Sequence, residues 1–331
     1  MVHVNAPDTE SPATRAWEER RGRLFGIAYR MLGDVGLAED IVSEVGIAAV
    51  VQERKGAADR SDGAVGHSTQ PPSGTSTQPP AGPGRTRRVR SWPGWLTTVC
   101  VRRSIDQARH LESVKEEYPG SWLPEPIATE ALPDEAVANR ELLSVTLLHL
   151  ADQLTPEARA AVVLSRAFDV PASEISSILD KSAAAVRQMI SRAERRLDLD
   201  RDLPRSGNRQ VIDRLVNAIR SGDQSSALRL LLADDAIFWS DGGGKVPATR
   251  NPLFGIDRII RFFAAVFDPS DPSSQQVTGV IAVNGEAGIG IVKDGDLRVL
   301  AVEVDDTGRV IGLRQVNNPD KLERVRTDHV S

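Results

Sequence analysis

Five polar side chains share one side of a helical repeat near the middle of the chain. At about 100° per residue, Arg187, Gln188, Ser191, Arg192 and Arg195 fall together, opposite Ala183, Val186, Met189, Ile190, Ala193 and Leu197. Guanidinium, amide and hydroxyl groups so arranged can donate to phosphates and to base edges in a major groove. A second basic set lies upstream, where Arg102, Arg103 and Arg109 face a single acid, Asp106, on a helix beginning near Pro93. Trp92 and Trp95 stand at its start. Basic residues beside tryptophans suit backbone contact and base stacking; the competing reading makes both tryptophans core anchors, and Trp95 at least is read as one. Further upstream, Asp40 and Glu44 lie one helical turn apart, an acidic pair whose ordinary reading is solvated surface charge.

The central stretch supplies the elements that position the first set. Thr155-Pro156 combines a hydroxyl cap with proline at the first helical position. Ala161, Val162, Leu164 and Phe168 follow at helical spacing until Asp169-Val170-Pro171 breaks the run. A short second helix carries Ile175, Ile178 and Leu179. Asp180-Lys181-Ser182 forms a turn, with Ser182 as cap of the third helix. Two helices, a tight turn and a basic face on the second make a helix-turn-helix pattern. A three-helix packing unit with a solvated face is the plain alternative.

Composition narrows the choice. The 331 residues suit two or three domains. Cys100 is the sole cysteine, so no internal disulfide can form, and its apolar helical neighbours mark it as buried. No segment is long and apolar enough to span a membrane, and the polar N-terminus has no leader pattern. A reducing cytoplasm is the default location. The net charge of −5 argues against coating nucleic acid by charge alone. A reader with locally basic helices is compatible with it, provided something else supplies affinity.

Around these stretches the chain changes character repeatedly. Residues 1–14 read as a frayed tail. Helix is expected from Trp17 to about Val51, interrupted at Gly33-Asp34. Residues 56–90 are rich in Gly, Pro, Ser and Thr, and Ser68-Thr69-Gln70-Pro71-Pro72 recurs as Ser76-Thr77-Gln78-Pro79-Pro80. Such a repeat cannot bury a core; it is expected to be disordered, as an insertion within a domain or as a linker. Residues 112–134 read as an extended proline-rich linker centred on Trp122-Leu123-Pro124-Glu125-Pro126, where a tryptophan and a leucine need something to dock on. Another helix is expected over 134–151.

Beyond Pro204 the pattern turns to α+β. Helices at about 208–221, 224–233 and 256–267 accompany strands at 235–240, 276–284, 286–293, 296–305 and 309–317. Asn284-Gly285, Gly295 and Asp305-Asp306-Thr307-Gly308 supply turns. A curved antiparallel sheet behind helices predicts a cone with an interior pocket. Asp241, Asp257 and Asp294 are its possible acid–base residues, because all five histidines lie outside it in the chain. Asp241, ahead of three glycines, reads as a turn residue. Asp241-Gly242-Gly243-Gly244-Lys245 lacks phosphate-loop spacing. It reads as a flexible hairpin or a contact surface. Neither catalysis, a metal nor a cofactor is assigned to any residue.

These segments together resemble a known family. Leu24-Phe25-Gly26-Ile27-Ala28-Tyr29-Arg30-Met31-Leu32-Gly33, Ala38-Glu39-Asp40-Ile41-Val42, Trp95-Leu96-Thr97-Thr98-Val99 and Ser104-Ile105-Asp106 look like region 2 of extracytoplasmic-function sigma factors. Residues 153–198 resemble region 4, and the third part resembles SnoaL-like, nuclear-transport-factor-2-like domains. The subgroup that fuses all three is matched by Trp122–Pro126, by Asp241-Gly242-Gly243-Gly244-Lys245-Val246 and by Asn318-Pro319-Asp320-Lys321-Leu322. The resemblance implies a multidomain protein: two all-α sigma domains (15–111, with the insertion, and 135–203), joined by the 112–134 linker, and a regulatory α+β cone at 208–323. It implies core RNA polymerase (β′ clamp and β flap) and promoter DNA as partners. Asp40 and Glu44 would bind polymerase. Arg102, Arg103, Asp106, Gln107 and Arg109 would read the −10 element. Lys181, Ser182, Arg187, Gln188, Ser191, Arg192 and Arg195 would read the −35 element. The three subgroup motifs would make regulatory contacts; whether the cone takes a small ligand is left open. Polymerase would then supply the affinity that the acidic chain lacks. One departure stands out: Val45-Gly46-Ile47 replaces a bulkier stretch, and the insertion follows it. A tolerated loop is expected, since both flanking helices keep their patterns; impaired promoter melting is the alternative. The rival function is a DNA-binding regulator fused to an isomerase- or cyclase-like enzyme, since the cone fold hosts both.

Overall fold

The computed structural model describes residues 11–63, 89–132, 143–197, 205–207, 209–221, 223–267, 276–293 and 295–325. Three helices open the chain: α1 (Pro12–Leu32), α2 (Val35–Gly63) and α3 (Trp92–Glu116). Ser11 caps α1 by accepting from Thr14 N at 3.1 Å, so the helix begins inside the expected tail. Gly33 ends it in the left-handed conformation, φ 66°, which costs glycine least. Helix α2 runs to Gly63, past residue 56 where the insertion was expected to begin; residues 64–88 lie outside the described residues. The departure at Gly46 has a local cause. A Cβ there would sit 2.9 Å from the Trp17 ring, and the indole Nε1 donates to Val42 O at 2.9 Å. Glycine lets the tryptophan lie flat on α2.

Helices α4 (Val145–Ala151), α5 (Pro156–Val162, prolonged by a wide turn over Val163–Ala167), α6 (Ala172–Leu179) and α7 (Ala183–Arg196) follow. Of the helix expected at 134–151, residues 133–142 lie outside the described ones; Ser144 caps α4 at Leu147 N. Helix α3 extends to Glu116, shortening the expected linker. One apolar core runs without a break from Leu24, Ile27 and Met31 of α1 through Leu96 and Ile105 of α3 to Leu164, Phe168, Ile175 and Val186. The first helical bundle and the helix-turn-helix are therefore packed together.

The C-terminal unit comprises β1 (Arg205–Ser206), α8 (Arg209–Arg220), α9 (Gln224–Arg229), β2 (Leu232–Asp241), β3 (Leu253–Phe254), α10 (Ile256–Val266), β4 (Gln276–Val283), β5 (Glu286–Lys293), β6 (Asp296–Val304) and β7 (Val310–Val316). Strands are ordered β3-β2-β7-β6-β5-β4, with β1 paired to β6. The sheet is mixed, not antiparallel as expected, because β2 and β7 run parallel. That pairing matters: the two strands end side by side, and Asp241 O accepts from Asn317 N at 2.7 Å and Asn318 N at 2.9 Å. Inside the curve, Phe238, Ile259, Phe263, Phe267, Ile289 and Leu313 pack tightly where the sequence suggested a pocket.

Candidate promoter-reading surfaces and their junction

Helix α7 presents its polar face to solvent. Lys181, Ser182, Arg187, Gln188, Ser191, Arg192 and Arg195 are all exposed, while Val186, Ala193 and Leu197 are buried. Ser182 caps the helix at Ala185 N, 3.1 Å, and Asp180 makes the turn in the left-handed region, φ 54°. Among these side chains Arg195 returns to its own helix, donating to Ser191 O at 3.2 Å.

The corresponding side chains of α3 are engaged. Arg102 Nε donates to Ile178 O, at the end of α6, at 3.1 Å. Arg103 pairs with Glu44 of α2, so one candidate for DNA holds one candidate for polymerase. Arg109 pairs with Asp106 at 2.9 Å and with Glu157 of α5. Asp40, Glu44, Arg103, Asp106 and Gln107 line a shallow cavity of about 340 Å³ between α2 and α3. Trp92 and Trp95 are half-buried against the core, edge to face at 5.6 Å. Cys100 is fully buried, and burial pushes its thiol up to about 12.

Beneath this face lies a set of buried and half-buried cations that sequence reading missed. Arg159 donates to Met31 O at 2.7 Å, to Ala151 O at 2.9 Å and to Asp152 at 2.5 Å. Lys115 of α3 reaches the same carboxylate at 2.7 Å. Arg23 and Arg30 cover the Phe168 ring at 4.8 and 5.1 Å. Helices α1 and α3 are thus tied to the helix-turn-helix by charge as well as by apolar packing.

The linker is clamped, and Asp241 is its clamp. The sequence suggested a turn residue there; the structure buries its carboxylate, because the parallel β2–β7 ends close over it. It accepts from Tyr118 Oη at 2.5 Å, Leu123 N at 2.9 Å, Gly243 N at 3.0 Å and Lys321 Nζ at 2.8 Å. Lys321 also donates to Leu123 O at 2.6 Å and sits 3.6 Å from the Trp122 ring centre. Burial holds the ammonium below its usual range, and Asp241 opposes that. Leu123, Pro124, Glu125 and Pro126 are buried, Trp122 half-buried. Pro319 opens the short 3-10 turn that carries Lys321, and Leu322 is buried behind it. Gly242 is buried, and a Cβ there would lie 2.4 Å from Val246 O. The neighbouring glycines allow close approach too: a Cβ at Gly243 would lie 2.4 Å from Asn318 Nδ2, and one at Gly244 2.8 Å from Pro119. Lys245, considered for a contact role, is exposed and pairs with Asp320 of the cone at 2.6 Å.

Three further residues bond one part to another. Asn284, a turn residue by sequence, is fully buried; its Nδ2 donates to Tyr29 Oη of α1 at 2.7 Å and Leu143 O at 2.8 Å, and its Oδ1 accepts from Ile127 N at 3.0 Å. An Asn-Gly pair satisfies a turn locally, so nothing in the sequence marked this second role. Glu125 accepts from Val35 N at 2.7 Å and from Arg324 at 3.2 Å. Burial raises its carboxyl above the usual range. Arg314 of β7 is the third. It lies opposite Trp239, off the core face of the sheet, and donates to His149 Nδ1 at 3.1 Å and Thr146 Oγ1 at 3.0 Å of α4. An arginine and a tryptophan side by side on the outer face of a strand pair were the available signal. The histidine is outside the cone in sequence, yet its ring packs on it.

Of the acid–base candidates, Asp241 is committed to the clamp. Asp257 is exposed and pairs with Arg229 at 2.5 Å; Asp294 lies outside the described residues. Among the described residues no helix is long and apolar enough to cross a membrane.

Known proteins match this architecture end to end. The ECF RNA polymerase sigma factor SigJ of Mycobacterium tuberculosis is 31% identical over 323 residues, covering 92% of each chain. The chain belongs to the extracytoplasmic-function sigma factors. The crystal structure of that SigJ superposes with a TM-score of 0.64 at 29% identity, covering 92% of this chain and 96% of that one. A probable ECF sigma factor, SigI of M. tuberculosis, is 24% identical over 75% of this chain and 74% of its own. The family description "Sigma-70, region 4" matches residues 144–197, the unit from α4 to α7. The protein is thus an alternative sigma factor that directs transcription initiation, built from helical sigma domains and a mixed-sheet C-terminal domain. Sigma factors bind core RNA polymerase and promoter DNA.

Proposed function

We propose that this sigma factor is held in a closed arrangement by its own C-terminal domain and opens to initiate. Residues 15–111 act as region 2 and 135–203 as region 4, and the cone at 208–323 regulates them in cis. One observation carries the reading: Arg102 and Arg109 of the −10 helix are bonded to α6 and α5 of the unit that reads −35. In duplex DNA the two elements lie tens of ångströms apart at about 3.4 Å per base pair. Two units sharing one apolar core cannot reach both. Opening frees the α3 face, and Gln107 and Asp106 join Arg102, Arg103 and Arg109 at the −10 element. Lys181, Ser182, Arg187, Gln188, Ser191, Arg192 and Arg195 take the −35 element; the exposed α7 face supports that assignment. Asp40 and Glu44 engage the β′ clamp, and the region 4 unit engages the β flap, in the cytoplasm where polymerase works. The clamp around Asp241 supports a structural rather than a catalytic cone.

The test is a distance measurement. Fluorophores on α2 and α7 of the full-length protein, alone and in an initiation complex with core polymerase and promoter DNA, report the separation. A large increase accompanying run-off transcript is expected. An unchanged distance in a complex that transcribes rules the closed-to-open reading out.

A further inference from the structure

His149 lies in the last turn of α4, and its ring is caught between two strands of the cone. Trp239 of β2 meets it edge to face at 5.5 Å, and Arg314 Nε of β7 donates to its Nδ1 at 3.1 Å. A guanidinium has no acceptor and keeps its protons. Nδ1 must therefore carry a lone pair, which leaves the ring neutral with its proton on Nε2. A second proton would turn that acceptor into a donor aimed at a buried cation.

The nearby carboxylates are already engaged. Glu303 of β6 is bonded to Arg314 at 2.7 Å. Asp152, just beyond α4, already receives Arg159 and Lys115. Lys321 is bonded to Asp241. Arg314, Lys115 and Lys321 act on the imidazole as like charges, and Asp152 acts the other way.

We infer that the seat of α4 on the cone is a proton-gated joint: neutral His149 holds it, and acid releases the helix-turn-helix unit from the C-terminal domain. Its consequence at promoters rests on the closed arrangement proposed above; the release itself does not. The sign follows from linkage. Burial, then Arg314, drives His149 down to about 4, against about 6.5 for a free histidine. The docked state binds fewer protons, so docking is at full strength above the free value and weakens as pH falls toward 4. Between pH 7 and 5 the docking constant should fall about 20-fold. Glu125, at a different joint, is raised and so works in the opposite direction.

The test uses full-length protein. Hydrogen exchange of the α4 amides, corrected for intrinsic rate, is compared at pH 7 and 5 for the wild type and for His149→Asn, which keeps an acceptor but does not titrate. Nuclear magnetic resonance follows the His149 ring. Expected are about 20-fold faster α4 exchange at pH 5 in the wild type, a response of about twofold or less in the variant, and a ring that titrates near 4. An equal acid response in His149→Asn overturns the inference. So does a ring that titrates at the ordinary value, whatever the variant does.

Discussion

Asp241→Ala probes the clamp most directly. The substitution leaves the Lys321 ammonium among Trp122, Tyr118 and Leu123 O without a counter-charge. Removing one partner of a buried pair costs about 3–5 kcal/mol. It also orphans the buried Leu123 amide, at about 1–3 kcal/mol. Tyr118 keeps its contact with Asn318 at 3.1 Å and adds little. The two costs overlap where water enters, so a loss near 5 kcal/mol is expected. That is a large share of the roughly 5–15 kcal/mol that holds a native protein together. Lys321→Met should cost less, because Asp241 retains three donors, from Tyr118, Leu123 and Gly243. The double variant should recover about 1–3 kcal/mol relative to the sum. Urea unfolding gives the energies, and proteolysis at residues 119–126 shows whether the linker has come loose. An Asp241→Ala protein within about 1 kcal/mol of wild type, or a double variant no better than additive, would refute the clamp.

Four other outcomes follow from the same geometry. Asn284→Ala removes donors to Tyr29 and Leu143 O and an acceptor for Ile127 N; it should lose about 2–4 kcal/mol in chemical denaturation. Gly243→Ala places a Cβ against Asn318 at φ 62° and should destabilise by about 1–3 kcal/mol. Lys245→Ala, which removes only an exposed pair, should lie within about 1 kcal/mol of wild type in the same scan. Arg187→Ala and Arg192→Ala should each weaken promoter binding by about 1–3 kcal/mol, with the loss confined to templates that carry a −35 element. Normal run-off from such templates would remove both residues from the reading face.

Much of this molecule is legible one element at a time. Capping hydroxyls at Ser182 and Thr155, the break at Gly33 and the 3.6-residue repeat of α7 are local, and the structure keeps them where the sequence puts them. The strands from β4 to β7 follow their turn residues to within a residue or so. Errors arise where a neighbour decides. Asp241, a turn residue by its own surroundings, is buried under Tyr118 and Lys321.

The sequence by itself determined most elements, the polar basic face of α7 and the three motifs that mark the three-part subgroup of the sigma family. It could do so because periodicity, capping and turn chemistry act over a few residues. Only the tertiary structure decided what those motifs do together. Parallel pairing of β2 with β7, between residues more than seventy apart, puts Asp241 beside Lys321 and closes both over Trp122 and Leu123. A carboxylate at a strand end, an asparagine in a hairpin and an arginine on an outer strand face each have an ordinary local explanation. Their joint role rests on burial and charge pairing across domains, which no stretch of sequence contains.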